Sequence, residues 1–112
     1  MCTQEQIRRI VSTVAQEARR MLGDRLDAVI LYGSYARGDY DGESDIDIMI
    51  RVKCKREQLS HYRYLFADIA SELSLQYDIT VSVTTVDTET FNRYGNNLPF
   101  FAHVQQEGIK IA

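Results

Sequence analysis

Two aspartates, Asp45 and Asp47, interleave with Ile46, Ile48 and Ile50, and a Gly33-Ser34 pair precedes them by ten residues. A strand has a side-chain period of two, so both carboxylates share a face, roughly 6.6 to 6.8 Å apart along the backbone. Such a pair suits a hard divalent ion: magnesium takes oxygen ligands, keeps several waters, and is commonly held by one or two carboxylates together with substrate phosphates. Without a cation the two charges repel and raise a pKa. A glycine followed by serine, at the end of one strand and the start of a helical turn, lets backbone N–H groups approach a phosphate closely, and the Ser34 hydroxyl adds a donor. Arg37, one helical turn further on, can bring a bidentate guanidinium to the same phosphates, although an arginine after a turn also often points into water. Asp78 lies in the alternating run YDITVSV. If that run is a strand beside the Asp45–Asp47 strand, its carboxylate joins the pair, and three acids permit two metals to activate a hydroxyl and stabilise a leaving pyrophosphate. The candidate metal and catalytic residues are therefore Asp45, Asp47 and Asp78, and the candidate nucleotide-binding residues are Gly33, Ser34 and Arg37.

These residues need elements to hold them. Ile7, Ile10, Val11, Val14, Ala18, Met21 and Leu22 recur at helical spacing, with Thr3 and Gln6 placed as a capping box and Gly23 as the stop. LDAVILY, residues Leu26 to Tyr32, reads as a buried strand ending at Gly33. GSYARGDYDGES then predicts a turn, a short helical turn and a loop before the Asp45–Ile50 strand. Helical spacing returns from about Glu57 to Leu75, and Tyr77 to Val83 reads as the third strand. Short helices follow after Asp87 and from Pro99 to about Gln106, and Ile109 to Ala112 is suited to a small edge strand.

The 112 residues fit one domain, 1–112, with no linker or repeat. With 13 basic and 16 acidic side chains the net charge is −3, which argues against a broad nucleic-acid-coating surface, so nucleic acid binding is not indicated and an anionic ligand must be gripped locally. Arg51, Lys53, Lys55 and Arg56 form a basic cluster better suited to a solvated strand end than to an acceptor site. No run approaches the ~20 apolar residues of a membrane span, and the N-terminus lacks the apolar core of a signal peptide, so a cytoplasmic location is expected. Cys2 and Cys54 lack metal-ligand spacing and read as free thiols. Tyr35 and Tyr40 flank the candidate site, where they can stack on a base or simply pack the loop.

Gly-Ser, ten residues, then Asp-x-Asp resembles the signature of the polymerase-β-like nucleotidyltransferase superfamily. More closely, GSYARGDYDGESDIDIMI and the tail LPFFAHVQQEGIKI resemble the minimal nucleotidyltransferase (MNT) family, often paired with a small helical HEPN protein in toxin–antitoxin modules. The resemblance covers most of the chain from the first strand onward. It implies an α/β (α+β) fold with a small mixed sheet of three to four strands flanked by helices, Mg2+ as cofactor, ATP as donor, and transfer of AMP with release of pyrophosphate. It also implies Asp45 and Asp47 as metal ligands, Gly33 and Ser34 as the phosphate-binding turn, Asp78 as third carboxylate and base, and a HEPN-type toxin whose tyrosine accepts AMP. A non-catalytic antitoxin that neutralises its partner by occlusion is the alternative. A small acceptor such as an aminoglycoside fits less well, because relatives of that kind usually carry additional helical domains to hold the drug.

Overall fold

Helix α1 spans Gln4–Leu22 in the computed structural model, which describes residues 3–95 and 97–112. Its start follows from two reciprocal bonds: Thr3 Oγ1 accepts from the Gln6 N–H (3.2 Å) and Gln6 Oε1 accepts from the Thr3 N–H (2.9 Å). Its stop is Gly23, at φ +53°. Cys2 lies outside the described residues, and Cys54 is a free thiol.

Strand β1 (Leu26–Tyr32) pairs antiparallel with β2 (Ile46–Val52), and β3 (Val81–Asp87) lies parallel to β2. The two-residue β4 (Ile109–Lys110) closes the other edge of β1, giving the order β3-β2-β1-β4. Parallel neighbours need a long crossover, and α3 (Leu59–Tyr77) supplies it. This is the mixed sheet with flanking helices expected from the sequence. One face carries Ile46, Ile48, Ile50 and Val52 into a core built with α1 and α3. The other carries Ala28, Ile30 and Met49 against Phe91 of α4 (Thr88–Tyr94) and Val104 of α5 (Pro99–Glu107).

The third strand departs from its expected place. Tyr77 is the last residue of α3, Asp78 takes the left-handed conformation (φ 53°, ψ 47°) and donates its N–H to Ser74, and the strand begins only at Val81. Two periodicities overlap here. Leu73 is buried and α3 runs another turn past it, while the strand continues through TTVD, whose polar residues hide its true length. Asp is one of the few non-glycine residues that enters the left-handed region readily, so it serves as the helix stop.

Candidate active site

Antiparallel pairing places the end of β1 beside the start of β2, with Tyr32 opposite Asp47. Gly33 and Ser34, next along the chain, therefore arrive at the two aspartates. Gly33 adopts φ 76°, ψ −156°, a conformation that residues with a Cβ rarely adopt, and starts the single turn α2 (Ser34–Arg37). Its carbonyl accepts from both the Ala36 and Arg37 N–H groups at 3.1 Å. A Cβ on Gly33 would collide with Asp47 Oδ2, so the carboxylate is seated against bare backbone.

Asp47 is partly buried and Asp45 is exposed. Neither side chain makes a hydrogen bond or ion pair among the described residues. Burial pushes the Asp47 carboxyl above the usual aspartate range and the charge of Asp45 pushes it further, while Arg37 pulls it back in part. What forces this arrangement is the opposite face of the strand. Ile46, Ile48 and Ile50 are fully buried, each contributing about 1.5 to 3 kcal/mol. Repulsion between two carboxylates at that strand spacing costs about 2.5 kcal/mol at an effective dielectric near 20, and less at higher values. The apolar face wins, and the carboxylates are held close together.

Arg37 reaches Asp39 (3.1 Å) and Glu107 of α5 (3.2 Å) rather than an open phosphate position. Both pairs are solvent-exposed, the kind that exchange readily for a better anion. Asp78, expected on the polar face of the third strand, is not on β3 at all: as the cap of α3 it stands exposed beyond the strand's start. It lines a small cavity of about 180 Å³ with Asp45, Ser44 and Thr80, but the residue in register with Asp47 is Ser82. Among the described residues no three His, Cys, Asp or Glu side chains gather closely enough for one ion. The carboxylate pair is therefore Asp45 and Asp47, with Asp78 across the neighbouring cavity.

Tyr32 was not among the expected site residues, yet it shares the face of Asp47. Its hydroxyl lies 3.3 Å from Thr84 Oγ1 and its ring meets Phe100 edge-on at 5.6 Å. Burial raises its pKa, outweighing the Thr84 bond, and the Asp47 charge acts in the same direction as burial. The phenol stays neutral as a wall of the site. Only the register of β1 on β2 could identify it. Tyr35 and Tyr40 stack on each other at 4.3 Å, with Tyr35 buried in the core, so they pack the loop. Arg51 leaves the basic cluster: it pairs with Asp27 at 2.7 Å and lies over the Phe91 ring.

With this geometry in view, residues 11–101 match the model of the nucleotidyltransferase domain family. A Methanocaldococcus jannaschii protein provisionally named a protein adenylyltransferase is 47% identical over 73 residues, covering 65% of this chain and 72% of that one. A provisionally named nucleotidyltransferase from Sulfolobus solfataricus has a similar crystal structure: TM-score 0.62, 22% identity, 95% of this chain and 82% of the other. The MNT antitoxin complex with tri-AMPylated HEPN toxin from Shewanella oneidensis is similar at TM-score 0.54 and 16% identity, covering 95% of this chain and 71% of the matched one. At these identities the two structures speak for the fold. Among the described residues no helix is long and apolar enough to cross a membrane.

Proposed function

Because the chain belongs to the nucleotidyltransferase domain family, we propose that it transfers AMP from ATP to a hydroxyl of a protein, a tyrosine of a HEPN-type toxin, and acts in the cytoplasm as that toxin's antitoxin. The observation that carries this reading is the Asp45–Asp47 pair: two carboxylates without a hydrogen-bond or ion-pair partner among the described residues, one of them partly buried against the bare backbone of Gly33. Such a donor set fits magnesium, which when bound neutralises the triphosphate and makes a nearby hydroxyl a better nucleophile. Asp45 and Asp47 would hold it.

The remaining work falls to this chain's own groups. Gly33 lets the nucleotide tail approach the backbone, and the Ser34 hydroxyl, uncommitted among the described residues, donates to a phosphate oxygen. Arg37 exchanges Asp39 or Glu107 for phosphate. The acceptor oxygen forms a bond to the α-phosphorus as the bond from that phosphorus to the bridging oxygen breaks, and pyrophosphate leaves. Asp78, across the cavity from Asp45, takes the acceptor's proton. The test uses ATP labelled on the α-phosphate, with magnesium and the helical protein encoded beside this chain. Label is expected on a tyrosine of that protein; label confined to free nucleotide, with the partner intact and bound, would refute transfer.

Occlusion without transfer is the second reading, favoured by one observation: Ser82, a hydroxyl, stands where a third carboxylate beside Asp47 would complete the acidic cluster.

Metal binding has its own signature. The raised Asp47 carboxyl makes ionisation unfavourable in the fold, so in metal-free protein this group's destabilising effect is full above its raised value and is relieved as pH falls through it. Magnesium favours the ionised form and reverses the sign. Added MgCl2 is expected to raise the melting temperature at neutral pH, and the increment should vanish as pH falls through the raised Asp47 value toward the ordinary aspartate range. Thermal melts with and without MgCl2 across that range check it; an increment independent of pH would place the ion elsewhere.

A further inference from the structure

The exposed side chains of α1 divide into two unlike sets. Arg9 pairs with Glu5 at 3.6 Å and Arg20 with Glu17. Arg8 and Arg19 have no ion pair among the described residues, although both are exposed. These two line one cavity of about 380 Å³, with Ile7, Val11, Leu31 and Ile111 among its apolar walls and Ser12 beside them. A second cavity of about 330 Å³ shares Ile7 and Arg8 and reaches Tyr35 and Tyr40, in the loop that carries Gly33 toward Asp45. In a chain of net charge −3, neither cavity has an acidic residue in its lining among the described residues.

We infer that this groove docks the protein acceptor through an amphipathic helix, with an apolar stripe on Ile7, Val11 and Ile111 and two carboxylates facing Arg8 and Arg19. Three features select that occupant. Arg8 and Arg19 are eleven residues apart on one helix, about three turns and roughly 16 Å, so acidic residues at the same interval on a second helix meet both. The surface between them is built of side chains, with Ser12 and Gln16 of α1 beside apolar Ile7, Val11, Ala15, Leu31 and Ile111, which suits ridges packing into grooves better than an added strand. Two isolated cations around an apolar floor suit carboxylates at the rim of a protein interface, whereas a nucleic acid backbone needs a row of phosphate contacts. Continuity with the Tyr35–Tyr40 loop then leads the acceptor toward Ser34 and Asp45. The inference rests on the protein-acceptor reading above and adds the surface that reading needs, since a small sheet offers little concavity to orient a second substrate.

The test measures the affinity of the natural chain and two variants for the co-encoded helical protein, by fluorescence anisotropy without nucleotide. Arg8→Glu with Arg19→Glu is expected to weaken binding about thirtyfold or more, as reversed charges at an interface do. Ser12→Trp, which fills the groove from an exposed position without changing charge, should weaken it about tenfold by obstructing the helix. Both should keep the magnesium-induced rise in melting temperature, which shows that the fold and the carboxylate pair are intact. Acidic residues of the partner changed to lysine should recover affinity for the doubly reversed variant.

Affinities within twofold of the natural chain in both variants would overturn the docking site, while label transfer to the partner would still stand. A natural chain that binds through the groove yet labels nothing would overturn transfer and leave the docking site intact. Sedimentation showing a dimer of this chain that Arg8→Glu with Arg19→Glu dissolves would assign the groove to a second copy and overturn the inference.

Discussion

Replacing Asp45 and Asp47 together by asparagine is expected to reduce AMP transfer about a thousandfold or more, on the order of 4 kcal/mol of transition-state stabilisation, while leaving the fold at least as stable at neutral pH. The two effects have opposite signs for one reason. The carboxylates are held near each other by the buried isoleucines on the far side of β2, and burial already disfavours the charge on Asp47. Asparagine removes that repulsion and the buried charge, and it also removes the ligands. Urea unfolding combined with label transfer measures both. A double variant that loses activity because it unfolds would show the carboxylates to be structural; one that still transfers label would remove them from the chemistry.

The same variant separates the two functional readings. If it binds and silences the partner without labelling it, occlusion suffices; if it binds and the partner stays active, transfer is the antitoxin mechanism. Asp78→Asn belongs in the same assay. Asparagine tolerates the left-handed cap as well as aspartate does, so stability is unchanged, and a proton acceptor's loss is expected to lower the rate about a hundredfold. A loss equal to that of Asp47→Asn would instead make Asp78 a metal ligand despite its place off β3.

Gly33→Ala is expected to damage stability and activity together. The backbone at φ 76°, ψ −156° is open almost only to glycine, and holding alanine there costs about 1 to 3 kcal/mol. The added Cβ also runs into Asp47 Oδ2, with Asp47 Cγ at 3.3 Å behind it. Relief requires the carboxylate to move off its seat or β1 to part from β2. Transfer is expected to fall about a hundredfold, the scale of a reacting group misplaced by an ångström. Gly38→Ala is the control: Gly38 also has a positive φ, 88°, but a Cβ there meets nothing within 4 Å. It should cost only about 1 kcal/mol and leave transfer intact. Equal effects at Gly33 and Gly38 in unfolding and label-transfer assays would show that backbone strain, not the seating of Asp47, accounts for the glycine.

Much of this protein is set by local pattern. The α1 cap is a contact between Thr3 and Gln6, three residues apart, β1 is a single apolar run, and the period of two in DIDIMI puts both aspartates opposite three isoleucines whatever the rest of the chain does. Those features depend on neighbours in sequence, so the sequence alone determines them, and with them the carboxylate pair and the Gly33-Ser34 turn. Where a helix hands over to a strand, local pattern is ambiguous. Tyr77, Ile79, Val81 and Val83 satisfy a strand's alternation, but the packing of α3 extends the helix through Tyr77 and shifts β3 toward Asp87. That shift moves Asp78 off the sheet and sets Ser82 beside Asp47. Strand register, the place of Tyr32, and the commitment of Arg51 to Asp27 and of Arg37 to Glu107 all join residues distant in sequence. Such contacts are chosen by which apolar surfaces can be buried together, and only the assembled tertiary structure makes that choice.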